Sequence, residues 1–468
     1  MKKNLILLVI VLIVAAVYFW DTRREEQIQE QEEKKSQISA LEPVDVQAVA
    51  LSNRYQDVRA VRQDNQWKIV EPYEAQGDKS AWDSIVNSLA GGQHQRVIDE
   101  NPTDLGKYGL AQPAITVSLI GSEGIQNPTS TIAFGNQTPT SGKYYALIRD
   151  TSAVVTLMST AYNNVDKRLF DLRDKTVLAV ESANIQKMEI SSASTELTVE
   201  RKGDEWLLTR PIQAHANETM VTEIVSQFRN AQVKQFIEEK PDFYEAYGLV
   251  DPATKVVFYT SEDGDASSVA ARALLFGSTN ESQYVYAKRD GQDNVFAVDM
   301  ADFNKLPTTV EDLRLKQLSS MRSWEINHII VSASDQIFEA SKEISEWMML
   351  QPQQGKADFT SVSDLIRSIV ELEVLNFVEG SLEEYGLDNP AITVELQSAE
   401  GSIKIPFQNG TVAGDPGVYY TARRDPLEIM TVDATAVEDI LNEIHNVKVE
   451  QFEEQPEGDE PPPDEQSE

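Results

Sequence analysis

The chain contains no cysteine. Disulfides, thiolate metal centres and a thiol nucleophile are therefore excluded. An oxidising compartment permits disulfides without requiring them, so the absence fixes no location. Histidine is scarce too, at four residues: His94, His215, His328 and His445. None has a companion at metal-ligand spacing. Basic residues are in deficit, with 41 Lys and Arg against 76 Asp and Glu, a formal charge of −35. A nucleic-acid partner is excluded, because phosphate binding needs a basic face that releases counterions. The same acidity argues against a domain lying on anionic lipid. The chain also lacks a Gly-x-Ser-x-Gly elbow, a phosphate-binding glycine loop and a His-Glu-x-x-His motif. No catalytic residue, cofactor or metal is expected.

Only the amino terminus carries a long apolar run. Leu5 to Trp20 is uncharged and would make roughly 24 Å of helix, close to a ~30 Å hydrocarbon core. Tyr18 and Trp20 suit the interface. Ala15-Ala16 leads into bulky Val17-Tyr18-Phe19-Trp20, so no small-x-small cleavage site is present. Residues 1–20 are expected to be a short cytoplasmic tail and an uncleaved transmembrane signal anchor. The protein would then be a single-pass protein of the bacterial inner membrane, with its large domain in the periplasm or otherwise outside the cytoplasm. Residues 21–43 read as a polar stalk ended by Pro43. Residues 450–468 are rich in Glu and Pro and read as a disordered acidic tail.

The chain between these ends repeats itself. Tyr108-Gly109-Leu110-Ala111-Gln112-Pro113 returns as Tyr247-Gly248-Leu249-Val250-Asp251-Pro252 and as Tyr385-Gly386-Leu387-Asp388-Asn389-Pro390. Upstream of each copy runs a short strand that opens on tryptophan and ends in proline: Trp67 to Pro72, Trp206 to Pro211 and Trp347 to Pro352. Alternation puts Trp67 with Ile69, Trp206 with Leu208 and Trp347 with Met349 on one face. These tryptophans therefore read as core. Between the two motifs lie apolar residues at helical spacing, such as Ala81, Trp82, Ile85, Val86 and Leu89.

A short capped helix is expected before each Tyr-Gly-Leu, with Gly109, Gly248 and Gly386 as left-handed caps. Pro113, Pro252 and Pro390 then block helical continuation and launch a strand. The predicted fold is α+β: the anchor helix, then three tandem units, each a mostly antiparallel sheet with one long and one short helix. Their boundaries are 44–174, 175–314 and 315–449. The third copy departs twice, lacking Gly after Phe407 and lacking the Asp-Leu-Arg that ends the others at Arg173 and Arg314. Such divergence suits a terminal cap.

A tyrosine also recurs five residues before an Arg-Asp pair: Tyr144 with Arg149, Tyr284 with Arg289, and Tyr419 with Arg424. A stripe of these side chains gripping a partner is the candidate binding surface, since Tyr and Arg dominate interfaces.

The Trp-x-x-x-x-Pro strand, the amphipathic helix and Tyr-Gly-Leu-x-x-Pro together resemble a bacterial domain of unknown function numbered 4340. The resemblance covers nearly everything from Val44 to Val449, in three copies. It implies a membrane-tethered extracytoplasmic component accompanying an ABC-type export system of the gliding-motility auxiliary kind, and supplies no catalytic residue. The expectation is a non-enzymatic binding or scaffold protein serving such a transport complex. The alternatives are a receptor for a cationic or envelope-derived ligand bound in clefts between units, and a hydrolase with an unrecognised carboxylate pair.

Overall fold

A computed structural model describes residues 36–122, 129–139, 142–180, 184–203, 205–261, 269–334 and 336–449. The chain divides after Thr176 into two compact units. The first contains one nine-stranded sheet and the second contains two.

The anchor expectation is corrected. Among the described residues no helix is long and apolar enough to cross a membrane, and the span expected at residues 5–20 lies outside the described residues. The transmembrane helix, signal anchor and single-pass inner-membrane placement are therefore not carried further. The acidic tail from residue 450 also lies outside the described residues. The stalk reading changes at its end: Ile38 and Leu41 are each 2% exposed and belong to the first core. The Ile38 N–H donates to the Gly92 carbonyl, which ties this segment to the end of a helix.

In the first repeat four strands form a meander: β1 (Val46–Ser52), β2 (Asp57–Gln63), β3 (Gln66–Glu71) and β4 (Ala75–Gln76). Helix α1 (Lys79–Leu89) then carries the chain to the opposite edge, β5 (Arg96–Asp99). The remaining strands β6 (Ile115–Gly121), β7 (Thr129–Gln137), β8 (Lys143–Ile148) and β9 (Ala153–Met158) fill the middle, giving the order β4-β3-β2-β1-β6-β7-β8-β9-β5. Every pairing is antiparallel. The second and third sheets have the same order.

Asp78 starts α1 by accepting a hydrogen bond from the Ala81 N–H, and Asn217 and Asp358 start the equivalent helices in the same way. The apolar stripe of α1 lies on one face of the sheet with Trp67, Ile69, Ile132 and Phe134. Trp206 and Trp347 are buried in the corresponding cores. Pro72, Pro211 and Pro352 each follow a cis peptide bond where the strand leaves the ladder.

Strand alternation leaves the other face of the sheet to be covered, and the Tyr-Gly-Leu segment covers it. Tyr108 and Leu110 pack with Ala133 and Val154, the neighbours in sequence of residues that face α1. All three copies form a complete Schellman turn. Leu110 N–H donates to the Leu105 carbonyl and Gly109 N–H to that of Gly106. Leu249 and Gly248 donate to Tyr244 and Glu245, and Leu387 and Gly386 to Leu382 and Glu383. The glycines have φ of 70°, 67° and 67°, a region closed to most side chains.

The short helix expected here is only a single 3₁₀ turn, Gly106–Tyr108 in the first repeat and Glu245–Tyr247 in the second. Between the first turn's start and the Tyr there is room for one turn and its cap, because the Schellman bonds close directly behind it. Longer helices instead follow the last strand, Ser159–Val165 in the first repeat and Ala434–Asn446 in the third. The description of one long and one short helix per unit is corrected accordingly.

The turn presses its backbone onto the sheet. A Cβ at Gly135 would lie 2.2 Å from the Tyr108 carbonyl oxygen, and one at Gly277 would lie 2.0 Å from that of Tyr247. The ladder carries a bulge at this point in the first two repeats, between Phe134 and Gln137 and between Phe276 and Thr279. In the third, Phe407, Gln408 and Asn409 pair without interruption, and the Gln408 side chain accepts from the Ala391 N–H. The missing glycine is thus matched by a straight ladder. Gly135→Ala and Gly277→Ala should each destabilise the protein by about 1–3 kcal/mol through overpacking against rigid backbone, whereas Gln408→Ala should cost less than about 1.5 kcal/mol, one hydrogen bond. Urea unfolding of the three variants checks this.

Candidate functional site

Within the second compact unit, the second and third repeats meet at a buried charge cluster. Glu428 opens the strand Glu428–Asp433 and pairs across a hairpin with Arg423, the last residue of Val418–Arg423. His215 comes from the two-residue strand Ala214–His215, and Arg314 forms a bridge with Ala216. A capped turn delivers Arg314. The Asp312 carboxylate accepts the N–H groups of Thr308 and Thr309, each at 2.9 Å. Burial acts to raise the Asp312 carboxyl, but these bonds outweigh it and hold it below the usual range.

The Glu428 side chain is 1% exposed and fully occupied. Its Oε1 accepts from Arg314 Nε at 2.8 Å. Its Oε2 receives His215 Nδ1 at 2.8 Å and the His215 N–H at 3.1 Å. Arg423 Nη2 lies 3.0 Å from the same oxygen. An acceptor-only carboxylate places the proton of His215 on Nδ1. Arg314 stacks on Phe377, with Cζ 3.4 Å from the ring centre. Arg423 also donates from Nη1 to the Gln317 carbonyl and from Nη2 to that of Leu315, at 2.8 and 2.9 Å. It thereby grips the segment that joins the two repeats.

Burial is the largest influence on both partners. It acts to raise the Glu428 carboxyl, yet the His215 bonds and the charges of Arg423 and Arg314 prevail and hold it below its ordinary value of 4.5. It pulls the Arg423 guanidinium down to about 10, against the charge of Glu428, which leaves it cationic at neutral pH. Beside the cluster opens a cleft of about 270 Å³ lined by Glu205, Ser319, Lys404, Arg423, Arg424 and Asp425 over an apolar floor.

Ladder register shows which residues are equivalent between copies. With Phe134, Phe276 and Phe407 aligned, Tyr145, Tyr286 and Tyr420 share one position. Each packs on the tyrosine of its own Tyr-Gly-Leu turn, at centroid distances of 5.1, 5.1 and 4.5 Å. The hydroxyls of Tyr108, Tyr247 and Tyr385 reach back to Asp99, Glu238 and the Glu379 carbonyl, beside the edge strand. The bond to Glu238 leads in pushing the Tyr247 hydroxyl up to about 12.

The residues singled out by spacing do not form a matched set. Tyr144 and Tyr419 share a position with Val285, one place beyond Tyr284. Tyr144 stacks on Tyr162 at 3.8 Å, and Tyr419 faces the third core. Arg289 aligns with Arg423 and donates to the Val177 carbonyl, while Arg149 and Arg424 align with Asp290. Of the proposed arginines only Arg424 lines the cleft.

Sequence reasoning missed His215, Arg314, Arg423 and Glu428. The available signal lay in the third copy alone: the Arg423-Arg424 pair, and Glu428 where the ladder places Ala153 and Asn294 in the other repeats. Among the described residues no group of three or more His, Asp or Glu is placed to hold a metal.

Tandem nine-stranded antiparallel sheets, each roofed on one face by a long helix and on the other by a Tyr-Gly-Leu turn, define a repeat protein whose second and third copies are joined through buried charge. The chain belongs to the family described as domain of unknown function DUF4340, whose model matches residues 67–236 and 206–390 as two overlapping copies. Both matches open on the tryptophan of the Trp-x-x-x-x-Pro strand, Trp67 or Trp206. A comparison with curated proteins gave no match.

Glu428→Ala would leave two arginines without their shared partner and should cost about 3–5 kcal/mol, read by urea unfolding. The folded value of Glu428 is depressed, so its contribution is complete above its ordinary 4.5 and lost as pH falls through the lower folded value. Wild-type protein should therefore lose more stability than Glu428→Gln when the melting temperature is followed from about pH 6 down to about pH 3.

Proposed function

We propose that the protein is a non-enzymatic binding or scaffold protein whose repeats act as a shaped arm for a protein partner. The observation that supports this is the Glu428 cluster. It commits four ionisable side chains of two repeats to holding those repeats in one compact unit. Glu428 is shared among the other three, and Arg423 also holds the joining segment, which suits the display of a surface more than turnover of a substrate. The family resemblance supports an ABC-type export complex, of the gliding-motility auxiliary kind, as the partner.

Crosslinking and mass spectrometry of the full-length protein in its own cells tests this reading. The expected result is recovery of transporter subunits, and impaired export when the gene is deleted. Recovery of no transporter component together with unchanged export would refute it.

A further inference from the structure

The second repeat carries exposed apolar side chains where the other two have none. Its Tyr-Gly-Leu turn is entered through Phe243-Tyr244, where the first repeat has Asp104-Leu105 and the third Ser381-Leu382. The turns fix this alignment, since the carbonyls of Leu105, Tyr244 and Leu382 each accept the N–H of the turn's leucine. Phe243 is 71% exposed. Val250, directly after the turn, is 54% exposed and stands where the others have Ala111 and Asp388. The bond from Leu249 N–H to the Tyr244 carbonyl, 3.1 Å long, closes the turn between them, so Phe243 and Val250 are the residues immediately outside one closed loop. Hydrogen bonds hold that loop in place. The Tyr244 hydroxyl donates to the Asp293 carbonyl at 3.0 Å, and Lys288 Nζ lies 4.3 Å from the Tyr244 ring centre. The Tyr247 hydroxyl donates to Glu238 at 2.7 Å, and its ring packs on Tyr286. A lone exposed apolar residue is ordinary, but an apolar patch inside a polar rim marks an interaction surface. The rim here is anionic. Glu238, Asp242, Glu245 and Asp251 are all exposed, and Lys240 is the single cation between residues 238 and 251.

We propose that this surface docks a basic protein segment. The segment would set an apolar side chain against Phe243 and Val250, and its lysines or arginines against Asp242, Glu245 and Asp251. Charge complementarity selects this partner. A second copy of the chain meeting the same surface would set carboxylate against carboxylate. Anionic lipid and nucleic acid would be repelled for the same reason. Aromatic anchors carry much of the energy of an interface, which gives Phe243 the larger share. The docking surface rests on the scaffold reading for its need of a protein partner, and it does not require that partner to be a transporter.

The test is fluorescence anisotropy of labelled two-heptad peptides titrated with the full-length protein. One peptide has leucine and lysine at amphipathic helical spacing. A second has serine for each leucine, and a third has glutamate for each lysine. The leucine–lysine peptide should saturate with a Kd of about 10 μM, the serine–lysine peptide should bind at least about tenfold more weakly, and the leucine–glutamate peptide should not bind. Phe243→Ser/Val250→Ser alters exposed side chains only and should keep the wild-type melting temperature. It should weaken the leucine–lysine peptide by about tenfold and leave the serine–lysine peptide unchanged. Asp242→Asn/Glu245→Gln/Asp251→Asn should weaken both. No saturable binding of the leucine–lysine peptide, equal binding of it by either variant, or binding of the leucine–glutamate peptide would each overturn the proposal. The scaffold reading would survive each of these outcomes, since it falls only when cells yield no crosslinked transporter component and export is unchanged.

Discussion

A nine-stranded sheet exposes two apolar faces, and in each repeat the long helices pack on only one of them. Alternation along every strand makes this unavoidable, because neighbouring side chains point to opposite sides. Ile132 and Phe134 lie under the helix, so Ala133 must be covered from elsewhere. The Tyr-Gly-Leu turn supplies that cover. Its leucine and tyrosine fill the second face, its glycine lets the chain reverse, and its tyrosine hydroxyl reaches the edge-strand segment. The close approach of its backbone in turn requires glycine on the strand beneath. One steric constraint thus links residues far apart in the chain.

The third copy satisfies the same constraint differently. Gln408 replaces the strand glycine, the bulge disappears, and the glutamine side chain takes up the Ala391 N–H. The equivalence of Tyr145, Tyr286 and Tyr420 survives this change, because the aromatic pair covers the same patch whether or not the ladder is bulged. Shared residues therefore account for the architecture. They leave little free to bind anything.

Chemistry gathers where the copies differ. Glu428 stands where the ladder puts Ala153 and Asn294, and it is the anion that permits Arg314, Arg423 and His215 to share one buried space. Removing water from such charges is costly unless each finds a partner, and here all but one donor of Arg423 does. The cationic cleft beside it runs against the charge of the whole chain. Net charge describes long-range behaviour in solution, whereas a cleft responds to the few groups within a Debye length or less.

The sequence by itself determined the repeat, the face each tryptophan takes, and the left-handed glycine of the Tyr-Gly-Leu turn. Each of these follows from local rules: strand alternation, helical spacing and the absence of a Cβ. It did not determine the register of the strand before the Arg-Asp pairs, where the ladder sets Val285, and not Tyr284, at the position of Tyr144 and Tyr419. Nor did it place Ile38 and Leu41 in the first core, since two apolar residues in a polar stretch carry no periodic signal. The cluster of His215, Arg314, Arg423 and Glu428 was decided only by tertiary structure. Its members lie up to 213 residues apart along the chain, and what makes them a site is the burial that removes water from between them.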